Sequence, residues 1–566
     1  MVEDEHCDIL ILGAGAAGIG AARRLLEQQG EQNGNASTHA PSAANAFRVV
    51  VLEARHRAGG RAWTSDELQC GLELDHGGQW IHGSTARNPM LELAARCGIS
   101  TTPMKWENGE DITRVVLASS ASNDDGRPFS MAPSRKAEKA SKLLFKQLCK
   151  YSKGSLIAAF RSKLPVETSF KDCLLEIAKR EMPDKAFNEW LESKARNALK
   201  ASGVNSKTHK NEMPPLIAET VALLRLQVYY RLESYEGCRM DKCSLRHTYD
   251  GTILPGGDCN VVDGYGKFVQ TLATSVPMDI RYAHRVLSIE WTSSSSNVRP
   301  KDNPHGVAVT VSTEEEDGSR SNQRFVAKVG CIVALPLGVL QHVIGNPEAQ
   351  NPLFIPPLPE TLLGSIDRLG VCLMNKIEML FSRQWWPDGT SCMEIASESD
   401  KTSDDFPLSD MPWSSWIVAG NNPPVLVCYA TGVFAERIES MTDSEVGKEG
   451  VIALRHAFLN NKLDGCRSGT IITCIPDPLR VHVTRWRSDP FARGSWTFFK
   501  AGTRGMKDVN AFQKFNSKKL EKLYFAGEHT CDGSVDGLDI GTVHGAYLSG
   551  RLAADELLVK NSTSSD

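Results

Sequence analysis

The 566-residue chain has no run that approaches the ~18 apolar residues of a membrane span, so it reads as having no transmembrane helix. Where a secretory signal would be basic it carries Glu3, Asp4 and Glu5, and its apolar stretch Ile9 to Ala22 is broken by glycines, which argues against a signal peptide. Its 15 cysteines include no CxxC, an absence that speaks against zinc sites and a disulfide framework and for a reduced compartment. Neither sign of charge prevails: 64 Lys and Arg against 68 Asp and Glu leave a formal net charge of −4, with no general attraction for nucleic acid or anionic membrane. The final NSTSSD is not a peroxisomal SKL-type tripeptide. The expectation from these absences is a cytoplasmic protein without a metal and without nucleic-acid or membrane partners.

What is present starts at Asp8 to Leu12, which reads as a buried strand followed by Gly13, Gly15 and Gly18 in GxGxxG spacing and a helix from about Ala16. The first glycine permits a tight turn, the second lets backbone N–H groups approach a pyrophosphate at a helix N-terminus, and the third lets helix and strand pack closely. A second strand, Arg48 to Leu52, ends in Glu53, a carboxylate placed to accept hydrogen bonds from ribose hydroxyls. Its spacing is long, but the polar stretch Gln28 to Ala46 reads as a surface insertion. Just beyond, Gly59, Gly60 and Arg61 could bring a planar cation to a phosphate.

The rest of the chain alternates in character. Residues 1–87 form a first dinucleotide unit; 88–229 are helix-rich, with helical spacing over Lys136 to Lys150 and Pro215 to Leu232. Residues 230–340 return to strands, including a hairpin of GVAVTV and RFVAKVGCIVALP around a polar turn, with Glu314 to Glu316 as a wet loop. Residues 341–480 are mixed, with a polar loop at Ser397 to Asp410, and 481–566 end in the strand LYFAG and a helix over Gly541 to Leu558.

Taken in order, GAGAAG, Glu53, GGRAWT, LDHGGQWIHG, GYGKFVQTLA, CIVALPLGVL, RWRSDPFARGSW, FAGEHT and TVHGAYLSG make the chain resemble the flavin-containing amine oxidases, and among them the polyamine oxidases, from about Cys7 to Leu558. That resemblance implies an α/β fold: a Rossmann-like FAD-binding domain (1–87, 230–340, 481–566) interleaved with an α+β substrate-binding domain (88–229, 341–480). It implies non-covalent FAD, because the family's attachment position reads Gly494 and Ser495 rather than Cys. It also implies oxidation of a secondary amine in spermine, spermidine or an N-acetylated form, with O2 as the second substrate and hydrogen peroxide, an aldehyde and a shorter amine as products. The oligomeric state is left open, a monomer included.

Site residues carry over one by one. Gly60, Arg61, Gly78, Gln79 and Trp80 would line the cofactor, Val286 would meet adenine through its backbone, and Glu528 would sit by the ribityl chain. Thr542 and Val543 would face the pyrimidine end of the flavin, where the last helix aims its positive dipole. Trp486 would pack near the ring and Trp496 would flank the reacting amine, Thr542 standing where monoamine oxidases complete an aromatic cage; by pattern alone either tryptophan could be core. His82, in WIHG, would contact the substrate amine, although an isolated histidine is equally a satisfied core residue. Lys376 lies in the apolar run LGVCLMNKIEMLF, where a buried charge is costly. Strand alternation puts it with Met374 and Glu378, which leaves an exposed lysine paired to Glu378 as the alternative, whereas the resemblance makes it the lysine that holds a water against flavin N5. The competing functions are a flavin-type histone lysine demethylase, which the absence of a preceding module and of a helical tower disfavours, and a non-catalytic flavin-binding scaffold, which the joint presence of Lys376, His82 and Trp496 disfavours.

Overall fold

Ile9 to Leu12 are fully buried, as a strand covered on both faces must be, and the strand Glu5–Leu12 holds an inner place in an eight-stranded sheet. The computed structural model describes residues 4–562 apart from 33–46, 105–111, 123–127, 132–133, 154–164, 166, 206–210, 249–253, 293–305, 315–317, 346–351, 398–407, 409, 460–471 and 519–521. Parallel neighbours of the opening strand are Val49–Leu52 on one side, itself flanked by Asp279–Arg281, and Arg320–Val333 on the other. The end of Arg320–Val333 also takes Leu523–Phe525 in parallel, so the first, middle and last thirds of the chain meet in one sheet. Such mixing of parallel strands and helices is an α/β architecture.

The hairpin forms as read: Val307–Glu314 runs antiparallel to Arg320–Val333 with Val307 opposite Ala327 and Glu314 opposite Arg320. Glu314 ends its strand exposed; Glu315 and Glu316, like most of Ser397 to Asp410, lie outside the described residues. The first helix, Ala16–Gln32, runs four residues past Gln28, so the start of the expected insertion continues the helix. Lys136 to Lys150 falls inside a helix Arg135–Lys153. Pro215 to Leu232 divides: the α-helix Met213–Val228 gives way to a π-helical turn, Tyr229–Ser234, a departure that apolar spacing does not register. The last helix is Val543–Ser562 rather than Gly541 to Leu558, because Thr542 is its cap: Thr542 Oγ1 accepts from Gly545 N at 3.0 Å.

First and last helices pack backbone to backbone. A Cβ at Gly20 would collide with the Tyr547 carbonyl and one at Gly550 with that of Ala17, so the two ends of the chain are locked together. A second, seven-stranded sheet has the order Arg480–Val483, Met374–Leu380, Pro424–Thr431, Ser415–Asn421, Thr390–Ser397, Ile112–Ser122, Pro128–Met131, antiparallel except where Thr390–Ser397 meets Ile112–Ser122. The helical residues around Leu144, Trp190 and Leu224 share a core with Ala396 on this sheet and with Leu232 to Leu245. Met90, Leu93 and Ala94 sit in the core of the first sheet, as do Phe354 and Leu362. Among the described residues no helix is long and apolar enough to cross a membrane.

Candidate active site

Between the two sheets lies a cavity of about 1340 Å³, larger than the ~300–1,000 Å³ usual for one small ligand, with room for a dinucleotide and a substrate. Its first end is the glycine turn. Gly13 has φ +103°, a conformation reserved in practice for glycine, and its N–H bonds the carbonyl of Leu52 at 2.8 Å. A Cβ on Gly18 would collide with the Gly13 carbonyl, whereas a Cβ on Gly15 would meet nothing within 4 Å and would stand in the cavity that Gly15 lines. The turn therefore keeps one glycine for packing and one for the open space a ligand needs, which is the shape a pyrophosphate requires at a helix start. The residues of this turn fit FAD.

Glu53 reaches under the same turn. Its Oε2 accepts from Ala14 N at 2.7 Å and its Oε1 from Arg55 N at 2.9 Å, and burial raises its pKa against these two bonds. Each oxygen keeps a further lone pair for a ligand hydroxyl. Gly59 and Gly60 stack on Gly15, and Val286, on the strand His284–Glu290, lines the cavity nearby. Arg61 lines the cavity and is held from within the protein: Nη1 donates to Ser495 O at 2.7 Å and both Nη atoms donate to Glu528 Oε1 at 3.1 Å. Glu528 also accepts from Thr497 Oγ1, Thr497 N and Gly541 N at 3.0, 3.2 and 3.2 Å, so two residues assigned to separate cofactor contacts form one buried knot that fixes the start of the last helix. Val543 rests against Gly78, where a Cβ would come within 3.1 Å of Cγ2. Thr542 Oγ1 donates to Asp539 O at 2.8 Å, so its hydroxyl is committed to the cap while the residue still lines the cavity.

Lys376 stands at the junction of the two sheets. It is 5% exposed, and Nζ donates to the carbonyl of Asp75, to Gly77 O at 3.1 Å and to Gln79 Oε1 at 2.8 Å, with the Tyr429 ring 5.5 Å away. Burial lowers its pKa to about 8 although Asp75 and Glu378 pull the other way. The exposed alternative thus fails, and so does its partner. Glu378 is fully buried and held by His76 Nδ1 at 2.8 Å and His482 Nδ1 at 2.9 Å. Burial works to raise its pKa, but the bonds and charges of His482 and His76 win and hold it at about 2. The ligand-type atoms of these three residues lie within 4.8 Å of one another, each Nδ1 engaged by a Glu378 oxygen.

A stability prediction follows from the sign of that shift. A carboxyl at 4.5 unfolded and about 2 folded contributes about 3 kcal/mol above pH 4.5 and loses it as pH falls from 4.5 toward 2. Glu378→Gln is expected to cost about 3 kcal/mol in denaturant unfolding at pH 7, with a flatter acid limb than the wild type; equal stability at pH 7 would show the cluster to be neutral.

The remaining wall of the cavity is aromatic and acidic. Trp496 lines the cavity with its indole wedged where a Cβ on Gly237 or Gly541 would come within 2.9 or 3.1 Å. Trp486 is buried, its N bonded to Asn375 Oδ1 at 3.0 Å and its Nε1 to His76 O at 3.3 Å, edge-on to Trp63. Trp80 lies 6.2 Å from the Tyr429 ring and 6.3 Å from His82. His82 is on the rim, its side chain 47% exposed and its Nδ1 3.1 Å from Asp258 Oδ1, so it is not a core histidine. Several lining residues are absent from the sequence reading: Tyr429, whose hydroxyl donates to Gln79 Oε1 at 2.9 Å, the carboxyls Glu236 and Glu394, and Tyr230. Burial raises Glu236 to about 8. His529 also went unread; fully buried, it has no hydrogen-bond partner on either ring nitrogen among the described residues, and burial lowers it to about 4, so it is a neutral imidazole at the cavity wall.

Comparison with known proteins agrees with this geometry. A family model described as "Flavin containing amine oxidoreductase" matches residues 16–558. The chain is 27% identical to bovine "Peroxisomal N(1)-acetyl-spermine/spermidine oxidase", covering 97% of this chain and 94% of that one, and 30% identical to rice "Polyamine oxidase 3", covering 97% and 88%. Similarity to fruit-fly "Possible lysine-specific histone demethylase 1", at 30% identity, spans 57% of this chain and 33% of the relative. The chain belongs to the flavin-containing amine oxidoreductase family and is an FAD-dependent amine oxidase whose cofactor is bound without a covalent link.

Proposed function

We propose that the protein oxidises a secondary amine within a polyamine, spermine, spermidine or an N-acetylated form. FAD held at the Gly13–Gly18 turn and Glu53 would supply the two-electron chemistry for removing a hydride from the carbon beside the amine, with O2 as the final acceptor giving hydrogen peroxide, and hydrolysis of the imine leaves an aldehyde and a shorter amine. The observation that carries the reading is Lys376, a buried amine fixed by Asp75 O, Gly77 O and Gln79 Oε1 in the cavity wall between the two sheets. Lowered to about 8 by burial, Nζ can give up one of its three donated protons near neutral pH, and the lone pair so freed can accept a hydrogen bond from a water, which a fully charged surface lysine does less well. Trp496 offers a π face to the cationic centre, and Glu236, two residues after Ser234 in the turn above it, adds a carboxyl beside the same wall.

His82 on the rim accepts a hydrogen bond from an amine or amide N–H without the strong attraction of a carboxylate, which suits a long and partly neutralised substrate. With Thr542 in place of a second aromatic wall, a small monoamine has little to hold it. The reading is tested by peroxide release from the purified holoprotein: turnover with spermine or N-acetylated polyamines, little with benzylamine and none with a dimethyl-lysine histone-tail peptide. Turnover of the peptide with silence on every polyamine would replace this function with demethylation. Part of the same proposal is a cytoplasmic location, supported by the absence of any disulfide among the 13 described cysteines and checked by imaging the tagged full chain.

A further inference from the structure

The cavity has a second end that the chemistry above does not use. Register carries the eye across the sheet: Lys376 is opposite Tyr429, Trp416 is opposite Cys428, and Glu394 is opposite Ser415. Since Ser415 and Tyr429 are the next pair along from Trp416 and Cys428, the residues Lys376, Tyr429, Ser415 and Glu394 form one row over four strands, and cross-strand partners share a face. All four line the cavity. Three strand spacings of about 4.8 Å put Glu394 roughly 14 Å from Lys376.

Glu394 is at the far end of this row. The π-helical turn Tyr229–Ser234 lays Tyr230 over it; the Tyr230 hydroxyl donates to Ser415 Oγ at 2.7 Å and lies against the Glu394 carboxyl. No Lys, Arg or His among the described residues forms an ion pair with Glu394, so the carboxyl faces the cavity without a cation. Burial raises it to about 7, and a bound ammonium would return it to the ionised form. Glu236, by contrast, adjoins Gly237 and the Trp496 indole, at the reacting end.

We propose that Glu394, with Tyr230 beside it, anchors the distal amine of the substrate, so that the row from Lys376 to Glu394 sets which polyamine length the enzyme accepts. This rests on the polyamine reading. A monoamine occupies only the Lys376 end, and acetylation of the distal nitrogen removes the charge that Glu394 recognises.

The test is Glu394→Gln in the holoenzyme. The kcat/KM for spermine is expected to fall about 10- to 100-fold, the scale of one hydrogen bond to a charged group, mainly through KM. A polyamine acetylated at its distal nitrogen should lose far less. Equal losses on both substrates, or none on spermine, would overturn the proposal while wild-type turnover of polyamines leaves the function standing; a wild type silent on every polyamine would overturn both. An arm without any variant uses wild-type inhibition by linear α,ω-diamines and by monoamines of matched length. The diamine should gain its advantage only once the chain is long enough to reach Glu394, and an advantage independent of length would contradict the anchor even if Glu394→Gln fails to fold.

Discussion

Replacing Lys376 with Met is expected to slow the bleaching of the flavin by amine about 10²-fold or more, the scale of a positioned acid–base group, while leaving FAD bound. The pyrophosphate turn and Lys376 belong to different sheets, so removing the amine does not touch the first. What is lost is the group at the cavity wall that Asp75 O, Gly77 O and Gln79 Oε1 hold in place and that burial keeps near pH 8. A purely structural lysine would tie residues 75–79 to the strand Met374–Leu380 and no more; its loss would lower the unfolding temperature and leave the reduction rate alone. Anaerobic stopped-flow mixing separates the two, and an unchanged rate constant assigns Lys376 to structure.

The second large effect separates two glycines three residues apart. Gly15→Val should give a folded but colourless protein, because its Cβ meets no protein atom within 4 Å and its side chain enters the cavity where the phosphates approach. Gly18→Ala, a smaller change, should be worse for the fold, because its methyl would collide with the backbone carbonyl of Gly13 and force helix from strand. Flavin absorbance after purification and the thermal unfolding midpoint read both. Retention of FAD by Gly15→Val would mean that the cofactor does not lie across this turn.

The ends of the cofactor unit were legible because a glycine turn is a local device: Gly13, Gly15 and Gly18 announce a strand, a turn and a helix within eleven residues. A lysine in LGVCLMNKIEMLF was equally conspicuous, yet its environment was not. Whether it faced solvent depended on Asp75, Gly77 and Gln79, about 300 positions away, and on His76 and His482 taking Glu378 out of reach. Arg61 and Glu528 look like two independent cofactor ligands in sequence, 467 residues apart, and only folding shows them bonded to each other. Glu394 was invisible for another reason. Within SCMEIAS it reads as an ordinary strand residue, and its meaning comes from the register of four strands plus the π-helical turn Tyr229–Ser234. Tyr429, in a strand of apolar residues, carried no signal beyond β propensity.

The central claim, that the wall between the two sheets is built to oxidise polyamines, is tested most directly by mass-spectrometric identification of the products formed from spermine by the wild-type holoenzyme in air. The account predicts a shorter amine and an amino-aldehyde in equal amounts, matched mole for mole by hydrogen peroxide. Spermine returned intact, with the flavin fully bound and peroxide absent for every polyamine offered, would contradict it.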